Sequence, residues 1–358
     1  MSIDKSILFT CAGYGGGIGK MLGFVTEISL GHFRQVMLMH RGRDYDSDYV
    51  NENVSEILIP IEDNLNFFLW RWKHIKHIRS VIKNIKPDIV CCFGSEHAFM
   101  VALSLIGIKS IKLIQCERGD PYNAPKKWKP FMRWAFHRAY KCVFQLQRQA
   151  EWYGKDVIDN SIIIPNAFVP SSNVKWNKDN HSRNIIGIGR FVSEKRFDVL
   201  IEAFKIVHTK HMEYKLIIYG DGPLRHKYEQ IINDNNLQDF VTLPGYCHNA
   251  AVALSEADIF VLSSCREGMP NTLVEALAMG VPTVSTDCSP GGPAFLTDNG
   301  RRGLLVDVDD IKALSDSICR IIENPSLVNE LSEKAQEIAS VLNQESISDM
   351  WVQFLTKL

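Results

Sequence analysis

The stretch NIIGIGRFVSEKRFDVLIEAF, residues 184–204, contains one complete unit of an α/β fold. It begins with an isoleucine-rich run of strand length, which a glycine and an arginine follow directly. A helix is predicted over 196–210, because apolar residues recur there at helical spacing. A buried strand, a short loop and a helix in this order are typical of a parallel sheet that helices cover on both faces.

The same alternation continues on both sides of this stretch. Before it, apolar runs such as SILFTCAG, QVMLMHRG and DIVCCFG alternate with helical patterns. After it, KLIIYGDG, DIFVLSS and PTVSTD are separated in the same way. Two doubly wound, Rossmann-like α/β domains that face a cleft are therefore predicted.

The polar, Ser/Asn-rich stretch around residue 175 lacks an apolar period and predicts a linker. The predicted divisions are an N-terminal domain at 1–170, a linker at 171–183, a C-terminal domain at 184–340 and a final helix at 341–358 that packs back toward the N-terminal domain. A length of 358 residues suits this division, since each half can bury its own core.

Composition indicates a globular cytoplasmic protein. Hydrophobic residues make up 46% of the chain and charged residues 23%, which is ordinary for a soluble domain. The opening MSIDKSILFT reads as a strand rather than a signal peptide, and the longest apolar stretch, 98–108, is shorter than the roughly 20 residues of a membrane-spanning helix. The nine cysteines form no CxxC pair and predict buried, reduced thiols.

Charge is distributed unevenly. Residues 1–170 carry 22 Lys and Arg against 16 Asp and Glu, whereas residues 171–358 carry 18 against 25. The segments 70–86 and 126–141 each contain six Lys or Arg and no acid. They predict peripheral attachment to the anionic inner face of the plasma membrane, with two sheet-packing helices as the alternative. Nucleic acid is not a predicted partner, because no binding motif accompanies these charges.

The loops that follow strands are the expected ligand sites of such sheets. In CREGMPNTLVEALAMG, residues 265–280, Pro270 is predicted at the first position of a helix. The amides of Asn271, Thr272 and Leu273 would then lie at the positive end of the helix, which favours an anion. Gly268 permits close approach of a ligand to the backbone. The alternative is an ordinary loop followed by a helix that starts near an acid.

Two further groups of residues support an anion site. Arg190 and Lys195 follow the first strand of the second domain, where a cationic pair suits a diphosphate; solvated surface cations are the alternative. The turns IYGDGP, with Gly220 and Asp221, and LPGY, with Tyr246, follow the next two strands. All these loops are expected at one edge of one sheet.

These motifs, in this order over residues 186–306, resemble the family-4 retaining glycosyltransferases of the GT-B fold. The resemblance implies that the second domain binds a nucleotide-sugar donor and that Arg190 and Lys195 hold its diphosphate. It further implies that Glu267 contacts the donor sugar, that Glu275 contacts the ribose, and that the backbone from Met269 to Leu273 contacts sugar or phosphate.

In the first domain, CAGYGGGIGK, residues 11–20, is neither a P-loop nor a complete dinucleotide fingerprint. It resembles the glycine-rich loop that family members place over the donor phosphates, with Gly16 and Gly17 as the candidates. QCERGDPY, residues 115–122, resembles an element of the subgroup that builds bacterial surface polysaccharides, although Cys116 and Gly119 depart from it.

The same part of the chain supplies the candidates for contact with an acceptor. Within QCERGDPY they are Glu117, Arg118 and Asp120, for which a structural loop is the alternative. His97 follows a strand and is a fourth candidate, with a hydrogen-bonded loop histidine as the alternative.

No metal is predicted at the active site. Asp307-Val-Asp309 matches a D-x-D pattern, but it ends a strand and is expected to cap the following helix. The histidines lack the spacing of a zinc site.

The predicted function is a retaining, metal-independent hexosyltransferase without a resident cofactor. It would move a hexose or N-acetylhexosamine from a nucleotide sugar to a polyprenyl-diphosphate-linked saccharide during O-antigen, capsule or exopolysaccharide synthesis. The predicted nucleotide is UDP. A GT-B sugar-nucleotide epimerase and a non-catalytic nucleotide-sugar sensor are the alternatives. A two-carboxylate glycosidase has no use for a diphosphate site, and a dehydrogenase would need the missing fingerprint.

Overall fold

The computed structural model describes residues 3–12, 16–41, 50–60, 66–170, 172–177, 179 and 182–358. The chain divides into two compact units. Met1–Ala167 and Gln344–Leu358 form the N-terminal unit, and Phe168–Asn343 forms the C-terminal unit. Each unit is described below by itself.

The N-terminal unit is built on a parallel sheet, as the apolar runs predict. Its described strands are β1 (Ile3–Cys11), β2 (Phe33–His40), β3 (Ser55–Leu58), β4 (Ile89–Phe93), β5 (Lys112–Cys116), β6 (Lys141–Phe144) and β7 (Ser161–Ile163). They lie in the order β3-β2-β1-β4-β5-β6-β7, and every neighbouring pair is parallel. Along β1, Ile7 and Phe9 pack on one side of the sheet and Leu8 on the other. Both faces are therefore buried, which explains the continuous apolar runs.

Helices cover both faces of this sheet. They are α1 (Gly16–Leu30), α2 (Phe67–Ile85), α3 (Ser95–Ser104), α4 (Lys129–His137), α5 (Gln147–Tyr153) and α6 (Lys155–Asp159). In α2, Ile78 and Ile82 are fully buried, and Ile75 and Ile85 pack against the same cluster. The isoleucine stripe of this basic helix therefore packs on the sheet, as the alternative interpretation holds, and does not face outward.

The C-terminal unit repeats the architecture. Its strands are β8 (Asn184–Ile188), β9 (Lys215–Tyr219), β10 (Val241–Gly245), β11 (Ile259–Leu262), β12 (Thr283–Thr286) and β13 (Leu304–Val306). They are all parallel, in the order β10-β9-β8-β11-β12-β13. The strand order reverses between β8 and β11, so this is the point at which ligands bind in doubly wound sheets.

The helices of this unit follow the strands in turn. They are α7 (Phe197–Lys210), α8 (Arg225–Asp234), α9 (Ala250–Ser255), α10 (Asn271–Met279), α11 (Gly292–Thr297), α12 (Ile311–Ile322), α13 (Pro325–Ala335) and α14 (Ile338–Val341). The predicted start of α10 is wrong by one residue. Pro270 is the N-cap, with φ −71° and ψ 111°, because its extended backbone ends the loop before the helix begins.

A last helix, α15 (Gln344–Thr356), belongs to the N-terminal unit. Its Trp351 is fully buried and stacks on Phe93 of β4, with ring centroids 6.1 Å apart. Ile347 and Leu355 join the same cluster as Ile7 and Phe9 of β1. The helix therefore closes one face of the first sheet. No helix in the described part of the chain has the length and apolarity needed to cross a bilayer.

Trp351→Ala should lower the free energy of unfolding of the N-terminal unit by about 3–5 kcal/mol, because it removes a fully buried indole from a packed core. Gln353→Ala on the exposed side of α15 is the matched control and should change it by no more than about 0.5 kcal/mol. Urea unfolding followed by near-ultraviolet circular dichroism measures both. Equal effects of the two substitutions on the free energy of unfolding would mean that α15 does not pack on the core.

Candidate active site

The carboxyl ends of β8 and β11 bring the principal predicted residues to one edge of the C-terminal sheet. Arg190 lies two residues after the end of β8 and is exposed, and no described residue forms an ion pair with its guanidinium. Lys195 ends a short 3₁₀ turn, Ser193–Lys195, in the same loop. The loop after β11 carries Glu267 and leads into α10. Because β8 and β11 are neighbours, the two loops meet.

Lys195 and Glu267 form an ion pair across these loops. The Lys195 Nζ lies 2.5 Å from Glu267 Oε1, and the Ser264 hydroxyl donates to the same oxygen at 2.7 Å. The two side chains are 22% and 14% exposed, so the pair is partly shielded from water. The sequence assigned Lys195 to a diphosphate and Glu267 to a sugar. The structure adds that they also contact each other directly.

Glycines allow the close approach of backbones at this edge. A Cβ on Gly292 would lie 1.8 Å from the Gly268 carbonyl oxygen, so the turn before α10 rests on the start of α11. A Cβ on Gly220, whose φ is +148°, would lie 1.8 Å from the Gly189 carbonyl oxygen. The Gly220 amide also donates to the Gly245 carbonyl at 2.7 Å. The loops after β8, β9 and β10 are thereby held together.

The first turn of α10 differs from the predicted row of three available amides. The Leu273 amide donates to the Pro270 carbonyl at 3.1 Å and is used within the helix. The amides of Asn271 and Thr272 precede it at the positive end of the helix. The side chains of Met269 and Leu273 are buried in the core, so these residues can meet a ligand only through their backbone.

The remaining predicted donor residues lie around the same edge. Glu275 is buried in the second turn of α10. Burial raises the pKa of the Cys247 thiol in the loop after β10, and the negative charge of Glu275 raises it further. Tyr246 in that loop is exposed and packs edge-on against His248, with ring centroids 5.1 Å apart. Asp221 is exposed after β9 and accepts a hydrogen bond from the Gly222 amide at 2.7 Å.

One supporting contact at this edge is absent from the sequence predictions. Glu194 forms an ion pair with Arg266, and its carbonyl accepts the Cys265 amide at 2.8 Å. This ion pair joins the same two loops as the ion pair between Lys195 and Glu267. The opposite charges of neighbouring residues in the two loops, Glu194-Lys195 and Arg266-Glu267, are the signal from which it could have been found.

The D-x-D pattern takes a different role from the predicted one. Asp309 forms an ion pair with Arg196 at 2.5 Å. The residue that caps α12 is Asp310, whose carboxylate accepts the Ala313 amide at 2.8 Å. The prediction that the pattern itself caps the helix is therefore wrong by one residue, because the strand ends earlier and Asp309 turns toward α7.

In the N-terminal unit, Gly16 and Gly17 begin α1, and the residues just before them in the glycine-rich loop, 13–15, lie outside the described residues. His97 is 1% exposed, and its Nε2 lies 2.8 Å from the Thr10 hydroxyl. Its ring packs near that of His74, with centroids 5.7 Å apart. His97 is thus hydrogen-bonded and buried.

Glu117 and Arg118 are buried as well. The Glu117 carboxylate, 1% exposed, accepts the Tyr153 hydroxyl at 2.5 Å, and burial raises its pKa. The Arg118 guanidinium lies beside the stacked rings of Phe93 and Trp351, 5.1 and 5.4 Å from their centroids. Burial argues against contact of either side chain with an acceptor, since the contacts described use both of them inside the unit.

Asp120, the remaining acceptor candidate, is only half-buried. It accepts the Tyr122 amide at 3.0 Å and stabilises a turn.

Known proteins resemble this chain in sequence and in fold. Residues 170–338 match the family described as glycosyl transferases group 1, a range that contains all of β8–β13. The chain is 33% identical over 284 residues to a poly(ribitol-phosphate) alpha-N-acetylglucosaminyltransferase of Staphylococcus aureus, a match that covers 78% of this chain and 57% of the relative. It is 31% identical over 265 residues to an uncharacterised glycosyltransferase of Methanocaldococcus jannaschii, covering 66% of this chain and 65% of the relative.

A third relative is named for lipopolysaccharide core biosynthesis in Rhizobium meliloti and is 31% identical over 172 residues, 48% of this chain and 49% of its own length. The chain thus spans less than two thirds of the length of each of these three relatives. Among solved structures, HepE of Anabaena in complex with UDP and glucose superposes with a TM-score of 0.82 at 15% identity, over 99% of this chain and all of that one. This likeness shows the GT-B fold and confirms the predicted fold class.

The two buried histidines predict a pH-dependent stability of the N-terminal unit. Burial, with nearby positive groups, lowers the pKa of His97 to about 3 and that of His74 to about 4. In the unfolded chain both pKa values return to about 6.5, so below that pH the unfolded state binds more protons. The free energy of unfolding should therefore fall from about pH 6.5 down to about pH 4, by up to about 1.4 kcal/mol per pH unit for each histidine.

Urea unfolding at about pH 5 and about pH 7.5 measures this dependence. The variant with both His97→Asn and His74→Gln should show a flatter profile than the natural chain. His226→Asn, at a fully exposed histidine, should leave the profile unchanged. An equally steep profile in the double variant would exclude these histidines as its cause.

Proposed function

Through residues 170–338 this chain belongs to the group 1 glycosyltransferases, and from that premise we propose that it transfers a hexose or N-acetylhexosamine from a UDP-linked sugar to a bacterial surface polysaccharide. The observation that carries the proposal is the meeting of Arg190, Lys195 and the N-terminal end of α10 at the ends of β8 and β11. The names of the relatives, an N-acetylglucosaminyltransferase and a lipopolysaccharide core enzyme, favour this substrate class.

The donor diphosphate lies between Arg190, Lys195 and the first turn of α10. A diphosphate carries more negative charge than one carboxylate, so it competes with Glu267 for the Lys195 ammonium. Glu267 then accepts hydrogen bonds from the sugar hydroxyls, while the Ser264 hydroxyl continues to donate to its Oε1 and keeps the carboxylate in place. Glu275 accepts from the ribose, and Tyr246 offers a ring face to the base.

The rate enhancement in this proposal is electrostatic. Negative charge builds on the diphosphate as the sugar leaves, and the two cations with the helix dipole stabilise it. This positive charge replaces the metal ion that other glycosyltransferases use. The acceptor attacks from the face that the diphosphate leaves, and a donor phosphate oxygen takes the acceptor proton, so the configuration of the sugar is retained.

The proposed acceptor is a polyprenyl-diphosphate-linked saccharide at the inner face of the plasma membrane. Its support is a surface of the N-terminal unit, the basic face. This face comprises Leu69, Trp72 and Lys76 of α2, Lys126 and Lys127 of the segment that leads into α4, and Phe131 of α4 itself. All six side chains are exposed, and Trp72 is 56% exposed.

The two parts of the basic face are joined. The Arg71 guanidinium of α2 stacks on Trp128 at 3.8 Å from the ring centroid, and Trp128 packs against Phe131 at 5.6 Å. Exposed aromatic rings beside lysines suit the headgroup region of an anionic bilayer, where rings enter the interface and ammonium groups pair with lipid phosphates. We assign this face to the membrane.

Donor binding predicts distinct kinetic effects for two variants. Arg190→Ala should lower kcat by about 100-fold, because it removes charge from the departing diphosphate. Glu275→Ala should raise the KM for UDP-sugar with less effect on kcat, because it contacts the bound ribose in ground and transition states alike. Lys215→Ala is the matched control, because Lys215 lies at the end of β9 that is opposite the ligand edge. Its kcat and KM should equal those of the natural chain.

Release of UDP in the presence and absence of saccharide acceptors measures these rates for each UDP-sugar. Unchanged kinetics in both variants would refute the assignment of the donor site. Conversion of the UDP-sugar to free UDP and a rearranged sugar without any acceptor would replace the transferase with the epimerase alternative.

Membrane attachment predicts a charge-dependent affinity for vesicles. The variant with both Lys126→Glu and Lys127→Glu should bind phosphatidylglycerol vesicles at least about 30-fold more weakly, at about 1 kcal/mol for each basic residue lost near the surface. The matched variant Lys205→Glu with Lys215→Glu makes the same charge change in the C-terminal unit and should bind normally. Sedimentation with vesicles at low and high salt measures this. Equal binding of both variants to the vesicles would contradict the assignment of the basic face to the membrane.

A further inference from the structure

The C-terminal ends of α7 and α12 bring three metal-binding side chain types together. His211 is the C-cap of α7, and Cys319 and Glu323 lie four residues apart at the end of α12. A ring nitrogen, the thiol sulfur and a carboxylate oxygen from these residues all lie within 4.8 Å of one another. The His211 Nε2 is 3.1 Å from Glu323 Oε1.

We propose that His211, Cys319 and Glu323 bind a divalent transition metal ion, with zinc the best match. Imidazole, thiolate and carboxylate are the three ligand types that zinc uses in proteins. Ligand atoms around tetrahedral zinc lie roughly 3.3–3.8 Å apart, so the three groups must close by about 1 Å. Glu323 is 58% exposed and can turn to the ion, with water as the fourth ligand.

Local charge favours a cation at this point. The last carbonyls of a helix carry about half a negative charge, and α7 and α12 both end here. A cavity of about 420 Å³ adjoins the cluster and is lined by Cys319, Glu323 and Asp316, together with Lys210 and Arg320. The two cations oppose a metal ion, but both have long side chains that can turn to solvent.

Metal binding displaces the proton of the Cys319 thiol, so the affinity for the metal ion should weaken as pH falls.

The site lies away from the proposed donor site. α7 begins after β8, at the sheet edge that carries Arg190, and its 14 residues run about 21 Å toward the opposite edge. A metal ion there links two helices that are distant in the chain, since Cys319 is 108 residues after His211. Its effect is to stabilise the C-terminal unit by an amount that grows with metal concentration.

Cobalt(II) titration of the chelator-treated full chain tests the proposal. One equivalent should produce the visible bands of a tetrahedral site together with thiolate-to-cobalt charge transfer, and zinc should displace it. Cys319→Ser should abolish the charge transfer, and both Cys319→Ser and His211→Gln should weaken binding at least about 10-fold. His226→Asn, at an exposed His226–Glu229 pair that includes no cysteine, should bind cobalt like the natural chain.

Thermal unfolding with and without zinc gives the second measurement. Zinc should raise the Tm of the natural chain and of His226→Asn but not that of Cys319→Ser. Circular dichroism without metal confirms that the variants fold. Cobalt binding that lacks charge transfer, or that Cys319→Ser leaves unchanged, would mean an adventitious ion only. Glycosyl transfer should be unchanged in Cys319→Ser, so failure of the metal site and failure of the proposed function are separate results.

Discussion

The ion pair between Lys195 and Glu267 is the interaction on which the arrangement of the C-terminal unit's ligand edge depends. It joins the loops of the two strands between which the strand order reverses, at 2.5 Å and in a partly shielded setting. The stem of Lys195 lies along Gly189, and the Gly189 carbonyl rests on Gly220. Through these contacts the ion pair is coupled to the loops after β8, β9 and β11, and the Glu194–Arg266 pair reinforces it. A ligand that competes for either charge would act on all of them.

Apolar patterning was sufficient to predict the sheets, because strands buried on both faces are rich in Val, Ile, Leu and Phe. The order of strands and loops then placed Arg190, Lys195 and Glu267 at one edge. Local details were harder to predict. Pro270 is a cap rather than the first helical residue, and Asp310 rather than Asp307 or Asp309 caps α12. Such one-residue differences depend on where a strand ends, which the apolar pattern does not define.

Contacts between distant segments could not be predicted from spacing. Glu117 and Arg118 lie in a motif that resembles an acceptor element, yet Tyr153, Phe93 and Trp351 surround them. The cluster of His211, Cys319 and Glu323 likewise has no signature along the chain, because it forms only when α7 packs on α12. In both cases the decisive partner comes from another element, and its position follows from the topology rather than from neighbouring residues.

The return of α15 to the N-terminal unit has a consequence for biosynthesis. This helix leaves the ribosome only after the whole C-terminal unit has been made, and until then Phe93 and Arg118 lack the indole that covers them. The C-terminal unit is continuous in sequence and can reach its final packing earlier. Of these two units, the one made later can therefore complete its packing first, which reverses the usual N-terminal-first order. A chaperone that shields the exposed face of the nascent first sheet would act during this interval.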